Sequence, residues 1–288
     1  MSESPNLQKI DLRNLKTVCI ALGPYRNLTT LIASILFLHP NCQVLNHAGI
    51  RILTKDNRNF LLHNNLQTFK NFLAFAIKAS IGGSRADYGG SITLSHAFDD
   101  KHVIGRIYQN RYGNSLIKNS IHCFFWKESL RVSNFIRKNN INLSEHFQRN
   151  RLLRFLMPIR NPLDCAMSNL KGKATLFTGL HDFSPKSVLT AILKEFAWFL
   201  DLKRQFPDRF FYFFEHDFNR ATLEEMAGFL GIETEPQWVE DSLQAFEVTS
   251  PYKHSSDFIE FYKQSVKTFF KDDPVFLENL LKFTVRNK

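Results

Sequence analysis

Residues Thr17–Thr30 read TVCIALGPYRNLTT. The first six are apolar and rich in β-branched side chains, and a glycine follows at Gly23, which predicts a buried strand ending in a turn. Thr29–Leu38 (TTLIASILFL) then reads as a helix, stopped by His39-Pro40. Gln43–Asn46 (QVLN) is a second short strand. Strand, turn, helix and strand in that order are the sequence form of a parallel βαβ unit. Working outward, the pattern predicts a helix over 64–80, a strand at Ile121–Trp126, a helix over 129–140 and a strand at Leu152–Ile159. Asn161 and Pro162 begin another helix, with proline at the first helical position. A long amphipathic helix covers 185–206. Arg209–Phe214 (RFFYFF) is an aromatic strand, buried on both faces if it is central. Leu223–Leu230 is a helix ended by Gly231, and the last 50 residues alternate helical patterns with loops. Residues 81–118 are a weakly patterned excursion rich in Gly, Ser and Asp. No Pro/Gly-rich linker divides the 288 residues and no repeat recurs, so the expectation is one α/β domain, 1–288, with helical additions.

Composition narrows the function. Hydrophobic residues are 44% and charged residues 22%, a globular balance, and 29 phenylalanines favour a thick interior. Lys plus Arg is 37 against 27 Asp plus Glu, a formal charge of +10 that favours anionic partners. Cys19, Cys42, Cys123 and Cys165 lie far apart with no C-x-x-C pair, which argues against a disulfide framework or a thiolate zinc site. The histidines show no ligand spacing, so no metal is expected. Leu28–Leu38 is too short to span a bilayer, and the first 16 residues lack the apolar stretch of a secretion signal. The expectation is a soluble, cytoplasmic protein. The Arg149–Arg154 stretch and Arg137-Lys138 read as solvated faces, and the Phe run as core, so nucleic acid is not an expected partner.

The loop Gly23-Pro24-Tyr25-Arg26-Asn27-Leu28-Thr29-Thr30 joins a strand to a helix N-terminus, where backbone N–H groups point at an anion. It lacks the Gly-Lys-Ser/Thr ending of a nucleoside-triphosphate loop, which disfavours an ordinary ATPase or kinase. Arg26 can reach an anionic oxygen instead, and Thr29 and Thr30 can hydrogen-bond it; the plainer reading is Thr29 as a helix cap. A second constellation is Phe155–Ser168, FLMPIRNPLDCAMS. Arg160 falls at the carboxyl end of a strand, where open α/β sheets bind ligands, and Ser168 about two turns into the next helix.

These two segments resemble the PAPS-dependent sulfotransferase family, whose loop is written G-x-x-[RK]-S-G-T-T and whose later motif is R-x-P-x-D-x-x-x-S. Gly23, Arg26, Thr29 and Thr30 match the first; Arg160, Pro162, Asp164 and Ser168 match the second. Asn27 and Leu28 replace the usual Ser and Gly, and leucine restricts the backbone if that position needs positive φ. FFWKES (124–129) looks like the family's strand ending in a Lys-containing turn, FYFFEHDF (211–218) with FLGI (229–232) like its strand–helix pair, and PYKHS (251–255) like a basic segment near the nucleotide. The resemblance spans about residues 15–256, leaving a C-terminal helical segment, 257–288. It implies a three-layer α/β/α fold with a mostly parallel, P-loop-like sheet. It also implies transfer of a sulfuryl group from PAPS, leaving PAP, to a hydroxyl or amine of a carbohydrate, lipid or small alcohol.

The roles it implies are these. Gly23, Tyr25, Arg26, Asn27, Leu28, Thr29 and Thr30 hold the 5′ end, Arg160 and Ser168 the 3′-phosphate, and Tyr252 and Lys253 lie near the nucleotide. Arg26 and Lys127 neutralise charge in the transfer, and the base is Glu128, His47 or His96. Acceptor contacts are expected from 81–118 and 171–186. Two rival readings are a PAP-binding protein that has lost catalysis, suggested by Asn27 and Leu28, and a basic module for nucleic acid or membrane surfaces, suggested by charge alone.

Overall fold

The computed structural model describes residues 12–84, 88–99 and 102–284. Most of the N-terminal stretch read above for a secretion signal lies outside them, as do 85–87 and 100–101 of the excursion. In chain order the elements are β1 (Thr17–Ala21), α1 (Thr29–Phe37), β2 (Cys42–Asn46), α2 (Gly49–Leu53), α3 (Leu66–Ser80), β3 (Gly90–Ser91), α4 (Val103–Tyr112), β4 (Cys123–Lys127) and α5 (Leu130–Lys138). They continue with α6 (Leu143–Arg149), β5 (Leu153–Ile159), α7 (Pro162–Leu170), α8 (Pro185–Gln205), β6 (Phe210–Phe214), α9 (Arg220–Leu230), α10 (Pro236–Ala245), α11 (Ser256–Phe269) and α12 (Pro274–Lys282).

The strands form one sheet in the order β3-β2-β4-β1-β5-β6. All neighbours are parallel except β2 and β3. Strand β1 is central and every residue in it is buried, as its unbroken apolar run requires of a strand covered on both sides. Its alternate side chains serve two cores. Val18 and Ile20 face the layer that includes α3, α5, α7 and α8; Cys19 and Ala21 face α1, α4, α9 and α10. This is the three-layer α/β/α arrangement, and β1, β4 and β5 lie side by side with their carboxyl ends on one edge.

Two features are settled by packing beyond their own segments. The aromatic run Phe210–Phe214 is the edge strand, and Phe211 and Tyr212 are only half-buried. It stays apolar because rings from outside the sheet cover it: Phe229 stacks on Phe211 at 5.3 Å and Phe276 meets Tyr212 at 5.2 Å. The excursion 81–118 is more ordered than its composition suggests, with β3, two single 3-10 turns and α4. The cysteines are all buried and free. Among the described residues, no helix is long and apolar enough to cross a membrane, and no three His, Cys, Asp or Glu side chains are grouped to hold a metal.

Candidate functional site

The turn after β1 is shaped by what touches it. Gly23 has φ 95°, and a Cβ there would sit 2.5 Å from the Met157 sulfur, so only glycine fits. Its N–H donates to Ser133 Oγ at 3.2 Å. The Tyr25 carbonyl accepts from Asn169 Nδ2 at 2.8 Å. Asn27 is fully buried; its Nδ2 donates to the Pro158 carbonyl and its Oδ1 accepts from the Arg160 N–H at 2.9 Å. The side chain expected to meet an anion therefore clamps the ends of β1 and β5 together. Leu28 has φ 60°, the left-handed region, and is the N-cap of α1. Thr29 is thus the first helical residue and not the cap, and its hydroxyl meets Ser129 Oγ at 3.2 Å. Helix α1 has no side-chain cap and no acid in its first turn, so no capping side chain satisfies its leading N–H groups.

The two motifs meet. Arg26, Leu28, Thr29 and Thr30 from the loop, with Arg160 and Ser168, line one cleft of about 420 Å³. His96, His102 and Glu247–Thr249 complete its walls. Arg26 is exposed. Among the described residues the Arg160 guanidinium reaches only backbone carbonyls, Arg26 at 3.4 Å and Thr249 at 3.3 Å, contacts that a doubly charged anion can displace. Burial, then the neighbouring His102, Arg26 and Lys127, push the His96 imidazolium below its ordinary pKa.

Lys127, Glu128 and His47 form an adjoining cluster at the end of β4, outside the residues that line the cleft. Lys127 Nζ lies 3.0 Å from His47 Nε2. An ammonium can only donate, so this bond needs Nε2 as acceptor and leaves the proton on Nδ1. That nitrogen faces Glu128 Oε1 at 3.6 Å. Glu128 is fully buried and its Oε2 accepts the Gly49 N–H at 2.8 Å, with Arg131 at 3.6 Å. Burial pushes its pKa up, but His47, Arg131 and Lys127 outweigh that and hold it below the usual carboxylate range. His47 itself has φ 60°, and its carbonyl accepts from Trp126 Nε1 at 2.7 Å.

Tyr252 and Lys253 do not line the cleft. Tyr252 packs under Lys171 at 4.8 Å, and Lys253 is exposed. The neighbouring His254 is buried instead, with its Nε2 2.8 Å from Asp164 Oδ1. Sequence reasoning quoted both residues without joining them. It also missed His102 and Glu247–Thr249, which enter the cleft from segments with no motif of their own.

No family model matches the chain, and no curated protein does. Some solved structures are similar to it. The sulfotransferase domain from the curacin biosynthetic pathway is 13% identical over 87% of this chain and 97% of that one, with a TM-score of 0.41. The sulfotransferase domain of the Synechococcus PCC 7002 olefin synthase is 15% identical over 88% and 96%, at 0.40. Mouse sulfotransferase SULT7A1, complexed with PAP, is 8% identical over 97% and 92%, at 0.45. Likenesses this remote leave the chemistry to be judged from the cleft itself.

Proposed function

We propose that this protein is a PAPS-dependent sulfotransferase acting on a hydroxyl or amine acceptor, for instance a carbohydrate, lipid or small alcohol. The observation that carries the reading is the convergence of Arg26, Thr29, Thr30, Arg160 and Ser168, from two segments about 130 residues apart, on one cleft. The donor set suits the nucleotide: an uncapped helix start with an exposed arginine for the 5′ end, and an arginine with a serine for the 3′-phosphate. When bound, the nucleotide supplies the sulfuryl group.

The protein's own residues position, neutralise charge and move a proton. Arg26 and the α1 N-terminus hold the 5′ end. Lys127 turns toward that negative charge and leaves His47 Nε2, which then has a free lone pair to take the acceptor's proton. Glu128 faces Nδ1, keeps the ring in that tautomer and stabilises the imidazolium that forms. It acts through His47, because its own carboxylate is enclosed and occupied by the Gly49 N–H. His96, held neutral in the cleft wall, contacts the bound nucleotide or acceptor. No nucleic acid takes part.

The test is transfer of label from sulfur-labelled PAPS to a panel of sugars, phenols, amines and lipids. His47→Ala is expected to lower the rate about 100-fold or more, the ordinary worth of a positioned base. Glu128→Gln is expected to lower it less, because the imidazolium that forms loses its anionic neighbour. Full activity in His47→Ala or in Glu128→Gln contradicts the assignment. The second reading, a binding protein without transfer, is favoured by one observation: the Leu28 side chain lines the cleft where the family's loop has glycine. Binding of PAP with no transfer to any acceptor would select it.

A further inference from the structure

A larger cavity lies away from the cleft and shares no lining residue with it. It occupies about 750 Å³ between α5, the segment around Phe177 and α8. Its walls are mostly apolar, with Phe135, Phe177, Ala191 and Trp198 among them. Its charge is one-sided: Arg131, Arg137, Lys138 and Lys194 face it against the single acid Glu195. Arg137 is already neutralised, since it pairs with buried Glu195 and lies over the Trp198 ring at 4.7 Å. Lys138 and Lys194 are exposed and pair with no carboxylate among the described residues. Glu195 keeps one more feature. Its Oε2 is buried and has no hydrogen-bond partner among the described residues, an arrangement folded proteins avoid unless a ligand or water fills it.

We infer that this cavity is a second ligand site, for a planar apolar compound that carries an anionic group and an N–H or O–H donor. The rings and Ala191 take the flat body, Lys138 and Lys194 hold the anion at the mouth, and Glu195 accepts from the donor. Concave, mostly apolar walls with a few placed polar groups are the general form of small-molecule sites. The site shares no lining residue with the cleft, although its Arg131 also lies 3.6 Å from Glu128.

The probe is anilinonaphthalene sulfonate, which has the flat body, the amine N–H and the anion. The full chain is titrated with it by fluorescence, with and without PAP. One saturable site that PAP leaves in place is expected. Ala191→Trp, which fills the cavity, should abolish it, and the surface double substitution Lys138→Glu/Lys194→Glu should weaken it at least tenfold. Circular dichroism confirms that each variant is folded. Wild-type dye affinity in both variants overturns the inference, as does displacement of the dye by PAP, which would place it in the cleft.

Discussion

Leu28 is the residue that most separates this loop from the pattern it resembles. Its φ of 60° is one that leucine rarely adopts, and a left-handed residue outside glycine costs about 1 to 2 kcal/mol. Glycine relieves that strain but loosens the unfolded chain by about 0.5 to 1 kcal/mol. Leu28→Gly should therefore leave stability within about 1 kcal/mol of wild type, or raise it, and should tighten PAP binding by opening the cleft wall. Urea unfolding and calorimetric titration check both. The Leu28 side chain also packs against the core beside α1, and a loss of more than 2 kcal/mol would mean that this packing outweighs the backbone strain. The positive φ was legible as a risk in the sequence, because the replaced position is glycine in the motif. The role of Asn27 was not legible: nothing local shows that its amide reaches Pro158 and Arg160, more than a hundred residues away.

At the scale of elements, the stretch from Glu247 to Ser255 crosses from α10 to α11 along the cleft. Its contacts include Thr249 with Arg160, Tyr252 with Lys171 and His254 with Asp164. The motif's Asp164 thus fastens a strap beside the cleft. His254→Ala leaves buried Asp164 without this partner, which costs about 1 to 3 kcal/mol. It should lower the melting temperature, weaken PAP binding and make the chain cleavable near 250. Unchanged affinity with a lowered melting temperature would confine the pair to a structural role. Element by element, strong periodicity was readable and weak periodicity was not. The β1–α1–β2 unit and α8 stand nearly where the pattern puts them. Helix α4 was missed because glycine, asparagine and tyrosine are indifferent helix formers and its order comes from packing, with Phe37 stacked on Tyr108 at 4.7 Å. Helix α6, seven residues long, is too short to show a period, and the aromatic strand's position at the edge depends on which rings pack over it.

For the whole molecule, stability should fall in mild acid for a reason that can be assigned. His39 sits at the turn after α1, where Nδ1 accepts the Asn41 N–H at 3.0 Å and Nε2 donates to the Glu233 carbonyl at 2.9 Å. The neutral ring is therefore the bonded form, and burial lowers its pKa from 6.5 to about 4. The unfolded chain takes up the proton first, so this contribution is whole above 6.5 and is lost as pH falls toward 4. The stability difference between wild type and His39→Gln should shrink across that window, read from urea midpoints; a difference independent of pH would contradict it.

The central claim is that two separated anion motifs make one nucleotide cleft. It is tested most directly by thermal melting of wild type and Arg160→Ala with PAP, with ADP and ATP–Mg as controls. Binding to the folded state adds about 2.7 kcal/mol at a hundredfold excess over Kd. The account predicts a clear rise in melting temperature for wild type with PAP, little with the controls, and none for Arg160→Ala, whose unliganded melting stays close to wild type. Equal shifts for wild type and Arg160→Ala, or no shift for either, would contradict it.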